Sequence, residues 1–243
     1  MNLEKNSNKK KKKRKLFSNF CYDFVILTGA IPMYIWMRPK VYNPYKVKTP
    51  RGGVIMFANH RSMLDPVTVH MAFPFRRKSC LATKDLFDTK AKDKFFHLMN
   101  CIKVDKQNFT LSAFHDVVTR LSDGKMVVIF PEGALNLDKE DTVHAFKSGA
   151  VLMAHKANAA IVPVYIVKRE KWYQRQRIVV GKPIHIREMV GKIHTLAQID
   201  AASESLRQME LELRAYFESL PIAKKLNKNS CQSKGDANDE QSV

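Results

Sequence analysis

Between residues 54 and 180, short and almost wholly apolar runs alternate with longer stretches that carry apolar residues at helical spacing. Few architectures satisfy that alternation. Runs of four to eight aliphatic residues need burial on both faces, and a parallel sheet with helices packed above and below provides it. The expectation is therefore an α/β fold with a mixed, largely parallel central sheet flanked by helices. Strands are predicted over 54–58, 80–83, 102–104, 126–130, 161–167 and 177–180, and helices over about 66–71, 89–99, 111–121, 146–156 and 201–220. Gly124 stops a helix just where a buried strand begins.

The first strand runs into Asn59-His60-Arg61-Ser62-Met63-Leu64-Asp65-Pro66, which puts a histidine at its carboxyl end. Open α/β sheets hold their ligands there. Asp65 followed by Pro66 reads as a helix N-cap with proline in the first turn, so local structure fixes the carboxylate. A His and an Asp five residues apart across such a junction can meet, with the carboxylate holding one ring nitrogen and the other free to act as a general base. Taken alone the spacing recurs by chance, and a lone His60 is more often structural. A second junction changes that balance. The predicted strand 126–130 ends in Phe130-Pro131-Glu132-Gly133-Ala134-Leu135, where Gly133 permits close backbone approach and Glu132 presents a carboxylate. Downstream stand Phe146-Lys147-Ser148-Gly149-Ala150 and Ile161-Val162-Pro163-Val164.

These blocks, NHRSMLD, FPEGAL, FKSGA and IVPV in that order, resemble the glycerolipid acyltransferases typified by 1-acyl-sn-glycerol-3-phosphate acyltransferase, with its H-x4-D box. The resemblance covers about residues 34–220. It implies that His60 is the catalytic base, taking the proton from a free hydroxyl of a lysophospholipid so that this oxygen attacks the thioester of acyl-CoA or acyl carrier protein. Asp65 would orient and charge-stabilise His60. The first acceptor implied is 1-acyl-sn-glycerol-3-phosphate, giving phosphatidate, with no covalent acyl-enzyme, no metal and no cofactor beyond the acyl donor. Phe130, Pro131, Glu132 and Gly133 match the block where the family binds its acceptor, and Val162 and Pro163 match the block that shapes the site. Lys106 stands where the family usually has an arginine on the acceptor phosphate, and Lys103 and Lys147 are further candidates for that phosphate. Two departures bear on the acceptor. The family usually continues F-P-E-G with Thr and Arg, whereas Ala134 and Leu135 follow here. With Lys106 for Arg as well, the planar fork that grips phosphate bidentately is missing from both expected places, so a different lysolipid acceptor is the alternative.

Charge narrows the partners. The chain carries 42 Lys plus Arg against 23 Asp plus Glu, a net +19. Residues 1–15 hold eight cations and one carboxylate, while residues 16–223 keep +11. A basic body suits an anionic membrane, an acidic substrate or carrier, or nucleic acid. The basic and aromatic stretch from Lys168 to Arg177 would suit a single strand, which makes a non-catalytic nucleic-acid- or membrane-binding protein the reading from another class. No helix-turn-helix or zinc-finger signature accompanies it, so nucleic acid is not the expected partner.

After the lysine run, the apolar stretch from Leu16 to Met37 is interrupted by Asp23, Gly29 and Pro32, which makes it a marginal span. An amphipathic helix lying on the membrane fits better, with the lysines on anionic headgroups and Phe17, Phe20, Phe24, Tyr34 and Trp36 in the interface. The expected organisation is a basic disordered tail (1–15), a membrane-associating helical segment (16–40), an acyltransferase domain (41–223) and a disordered tail (224–243). The protein is expected on the cytoplasmic face of the membrane, peripheral or monotopic. Cys21, Cys80, Cys101 and Cys231 show no metal or disulfide spacing, which fits free thiols in a reducing compartment. His97, His115 and His155 sit inside helical patterns and read as structural.

Overall fold

The computed structural model describes residues 2–226 except 49–50, 75, 106–109, 137–142, 170, 192–194 and 225; within its first helix, side chains are described from Phe17 on, other than Ala30. In chain order the elements are α1 (Asn2–Met37), β1 (Lys40–Tyr42), β2 (Val54–Ala58), α2 (Asp65–Ala72), β3 (Lys78–Thr83), α3 (Lys90–Leu98), β4 (Ile102–Val104), α4 (Leu111–Ser122), β5 (Met126–Ile129), α5 (Gly149–Ala157), β6 (Ala160–Val167), β7 (Arg177–Val180), β8 (Ile184–His185), α6 (Ile186–Val190) and α7 (Leu196–Ser219). The strands form one sheet in the order β1-β7-β6-β2-β5-β3-β4, with β8 also on β6. Pairs β6–β2, β2–β5, β5–β3 and β3–β4 are parallel, while β7 and β8 run antiparallel to β6. The sheet is thus mixed and largely parallel.

Its central strands are buried on both faces, which is why they read as unbroken apolar runs. On one face Ile55, Phe57, Val127, Ile129 and Ile161 pack against Val117 and Leu121 of α4, Val151 and Ala154 of α5 and Leu206 of α7. On the other, Val54, Met56, Val128 and Val162 pack against Val69 of α2 and Phe73. Gly124 takes φ +72 and donates to the Leu121 carbonyl, a left-handed exit that stops α4 and starts β5.

The amino-terminal segment differs from expectation in where its helix begins. Helix α1 begins at Asn2, so the backbone of residues 2–15 is helical where a disordered tail was expected; lysine is a good helix former and the run contains no Gly or Pro. Tyr22 and Met37 are buried against the domain, while Phe17, Phe20, Phe24, Leu27, Ile31 and Tyr34, three or four residues apart, form an exposed apolar stripe with Ile35 beside it. Phe17–Met37 is long and apolar enough to cross a membrane. Both ends of that stretch are tied to the domain. Tyr22 accepts from the Lys78 backbone N–H at 3.2 Å and Asp23 pairs with Arg77 in a fork, while at the far end Met37 accepts from the Gln176 N–H at 2.8 Å. The chain beyond residue 226, with Cys231 and nearly all of the expected carboxyl-terminal tail, lies outside the described residues.

Candidate active site

The turn after β2 is built around one carboxylate oxygen. Asp65 Oδ2 accepts from the backbone N–H groups of Arg61 at 2.6 Å and Ser62 at 2.7 Å and from His60 Nδ1 at 3.0 Å. The expected forward cap is absent: Asp65 is the first residue of α2, and its side chain reaches back over the turn instead. A carboxylate only accepts, so Nδ1 carries the proton in this bond and the lone pair falls on Nε2. His60 keeps partial exposure, whereas Asp65 is buried. A pair of this kind can accept a proton from a substrate hydroxyl and hold the resulting imidazolium against a fixed negative charge.

Four more residues hold the histidine in place. Phe130, at the end of β5, stacks on His60 with centroids 4.1 Å apart and planes 18° from parallel. Glu132 Oε1 accepts from the His60 backbone N–H at 3.2 Å, and Asn136 donates its backbone N–H to the His60 carbonyl at 2.6 Å. Asn59, buried one residue earlier, pairs with the Ile166 backbone on the neighbouring strand, donating at 3.0 Å and accepting at 2.7 Å. Nothing in the composition singled out Asn59 or Asn136. The signal for Asn59 was its place between a buried strand and the histidine, where a polar side chain must find a backbone partner.

The Phe130-Pro131-Glu132-Gly133 turn comes together with His60 and Asp65 as the sequence suggested. Glu132 does so from underneath: its side chain is 1% exposed, and its second oxygen accepts from Asn136 Nδ2 at 3.2 Å and the His144 N–H at 3.3 Å. Its carboxylate therefore holds the histidine turn instead of facing an open acceptor site. Gly133 has φ +75, and a Cβ there would stand 2.7 Å from both Cε and Nζ of Lys147, so that lysine lies along the glycine turn. The Lys147 N–H also donates to the Pro131 carbonyl at 2.9 Å.

Lys103 does not join this group. It sits on β4 at the sheet edge, its ammonium 3.9 Å from Asp93 Oδ1 and 4.9 Å from the Phe87 ring centroid. Lys106 lies outside the described residues. Cys21, Cys80 and Cys101 are free thiols. Among the described residues no group of three His, Cys, Asp or Glu side chains is arranged to hold a metal ion.

The sequence matches the Acyltransferase family model over residues 38–167. It is 25% identical over 182 residues to 1-acyl-sn-glycerol-3-phosphate acyltransferase of Bacillus subtilis (strain 168), covering 72% of this chain and 89% of that one. A probable 1-acyl-sn-glycerol-3-phosphate acyltransferase of Mycoplasma pneumoniae is 32% identical over 133 residues, 52% of this chain and 48% of that one. Among solved structures, the 1-acyl-sn-glycerophosphate acyltransferase PlsC from Thermotoga maritima superposes with a TM-score of 0.58 at 15% identity, over 87% of this chain and 84% of that one. That likeness is one of fold.

Proposed function

This chain belongs to the Acyltransferase family, and on that premise we propose that it transfers a fatty acyl group from a thioester to the free hydroxyl of 1-acyl-sn-glycerol-3-phosphate, giving phosphatidate. The observation that carries the reading is the His60–Asp65 pair at 3.0 Å, fixed at the end of a central strand beside the Phe130–Gly133 turn. His60 Nε2 takes the hydroxyl proton as the acceptor oxygen attacks the thioester carbonyl. The imidazolium, held by Asp65, then returns that proton to the departing thiolate as the tetrahedral intermediate collapses. Proton and leaving group balance within one ternary complex, with no acyl-enzyme. The donor is acyl-CoA or acyl carrier protein.

Helix α1 supports membrane attachment for this reaction. Its outward stripe is apolar, it is tied to the domain at Tyr22, Asp23 and Met37, and the lysine run continues the same helix toward its start. A helix held along the domain in this way lies in one leaflet with its basic end at anionic headgroups, on the cytoplasmic face where a thioester donor is made. Incubating the purified protein with labelled acyl-CoA and a panel of lysolipids, and identifying products by mass, tests the acceptor. Phosphatidate as the main product is expected. Acylation only of lysolipids that lack a phosphomonoester would replace the acceptor and turn attention to Ala134 and Leu135.

A further inference from the structure

A cavity of about 300 Å³ opens beside the histidine turn, between Arg61, Ser62 and Asp65 on one side and the segment that leaves β6 on the other. Its described lining carries four cations, Arg61, Lys168, Arg169 and Lys171, against one carboxylate, Asp65. That carboxylate is already engaged through Oδ2 by three N–H donors, so the cations set the sign of the cavity. The size lies at the low end for small-molecule sites, with room for a headgroup and none for a whole lysolipid or coenzyme.

Sheet order explains why cations meet the dyad here. Strand β6 lies next to β2, so residues leaving its carboxyl end emerge one strand spacing, ~4.8 Å, from the turn that carries His60. Strand β4, which carries Lys103, is three spacings away, about 14 Å. The segment after β6 is also held in place. The Arg169 guanidinium lies 5.0 Å from the Trp36 ring centroid, Arg38 donates to the Tyr173 carbonyl at 3.0 Å, and Gln176 Nε2 donates to the Val167 carbonyl at 3.0 Å. Cations held by such contacts lose little freedom when an anion arrives. Trp172, 71% exposed, stands at the rim.

We propose that this cavity is a phosphate-ester subsite, in which Arg61, Lys168, Arg169 and Lys171 bind a phosphate of a substrate while its reacting end reaches His60. The assignment rests on the acyl-transfer reading above. The phosphate comes either from the acceptor or from the nucleotide of CoA, and both present the same dianionic oxygens to a guanidinium and ammonium cluster. In either case Trp36 at the end of α1 and Arg38 just after it brace the segment that carries the subsite.

The test is calorimetric titration of glycerol 3-phosphate and of adenosine 3′,5′-bisphosphate into the full chain, into a Lys168→Ala and Arg169→Ala double variant, and into Lys171→Glu. The lysine at 171 is exposed, so its variant folds even if loss of the Arg169–Trp36 contact disturbs the first one. Wild type should bind one probe, and both variants should weaken that binding by about ten-fold or more, with a matching rise in KM for the substrate bearing that phosphate. Loss of glycerol 3-phosphate binding assigns the subsite to the acceptor; loss of the bisphosphate assigns it to the donor. Wild-type binding of neither probe, or changes within about two-fold for both probes in Lys171→Glu and in a folded double variant, would overturn the proposal. Binding with no lysolipid acylation would instead remove the acyl-transfer reading and leave the anion site standing.

Discussion

Replacing Asp65 by Asn separates the charge of the dyad from its geometry. Every bond that Asp65 makes in the turn ends on Oδ2: Arg61 N–H at 2.6 Å, Ser62 N–H at 2.7 Å and His60 Nδ1 at 3.0 Å. An amide oxygen in that position still accepts all three, so the turn and the ring orientation survive. What disappears is the negative charge facing the imidazolium that forms as the acceptor oxygen attacks. Two unit charges ~4 Å apart at an effective dielectric of ~20 attract by about 4 kcal/mol. At about 1.4 kcal/mol per decade, kcat should fall roughly a thousand-fold, with KM nearly unchanged. Asp65→Ala provides the contrast, because it strands two turn N–H groups in a buried site at about 1–3 kcal/mol each and should lower Tm as well as kcat. Steady-state acylation of a lysolipid, with thermal unfolding of the same samples, reads both. An Asn variant within about ten-fold of wild type would refute the charge argument, and an Asn variant that unfolds like the Ala variant would refute the geometry.

Other perturbations probe the supports of the site. Glu132→Gln keeps an acceptor for one side of the carboxylate but turns an NH2 toward the donors on the other, which are either the His60 N–H on Oε1 or Asn136 Nδ2 and the His144 N–H on Oε2. It should cost about 1–3 kcal/mol of stability and lower kcat, measured by denaturant unfolding and turnover. Aspartate at Phe24 and Ile31 together, both exposed on the α1 stripe, should abolish cosedimentation with anionic vesicles while leaving Tm within a few degrees of wild type; unchanged cosedimentation would remove the stripe from membrane contact. Lys78, buried and donating through Nζ to the carbonyls of His70, Phe73 and Arg76, has its pKa pulled down by burial to about 7. Below pH 7 both folded and unfolded chains hold the proton, so stability is independent of this group. Between pH 7 and the ordinary lysine value the unfolded chain holds a proton that the folded one has lost, so stability rises with pH. Between pH 7 and 9, wild type should gain up to about 3 kcal/mol relative to Lys78→Met in urea unfolding.

The elements legible in the sequence are those whose local pattern and burial agree. Strand β2 falls where its apolar run lies, because a strand buried on both faces leaves nothing but apolar residues to read, and β4 and β7 also fall at their expected positions although each carries one cation, Lys103 and Arg177. Strands β1 and β8, of three and two residues, exist only because β7 and β6 offer them a partner, and no local pattern marks so short a pairing. Helix α7 starts at Leu196, ahead of the expected 201, because Thr195 and Gln198 form a reciprocal capping box that was there to be read. In the site, His60, Asp65 and the Phe130–Gly133 turn were legible because each sits at a strand end. The reach of Lys103 was not: strand order in a sheet is set by non-local packing, and it places β4 at the edge, far from β2. The cations after β6 read only as a basic and aromatic stretch suited to a single strand for the same reason, since only the pairing of β6 with β2 brings them to the dyad.

The central claim is that His60 Nε2 takes the acceptor proton. Its most direct measurement is the single-turnover rate of labelled acyl transfer from acyl-CoA to lysophosphatidate by His60→Ala, with circular dichroism and thermal unfolding confirming the fold. That rate should fall by about 10²–10⁴ in a folded protein. A folded His60→Ala variant that transfers the acyl group at close to the wild-type rate would contradict that claim.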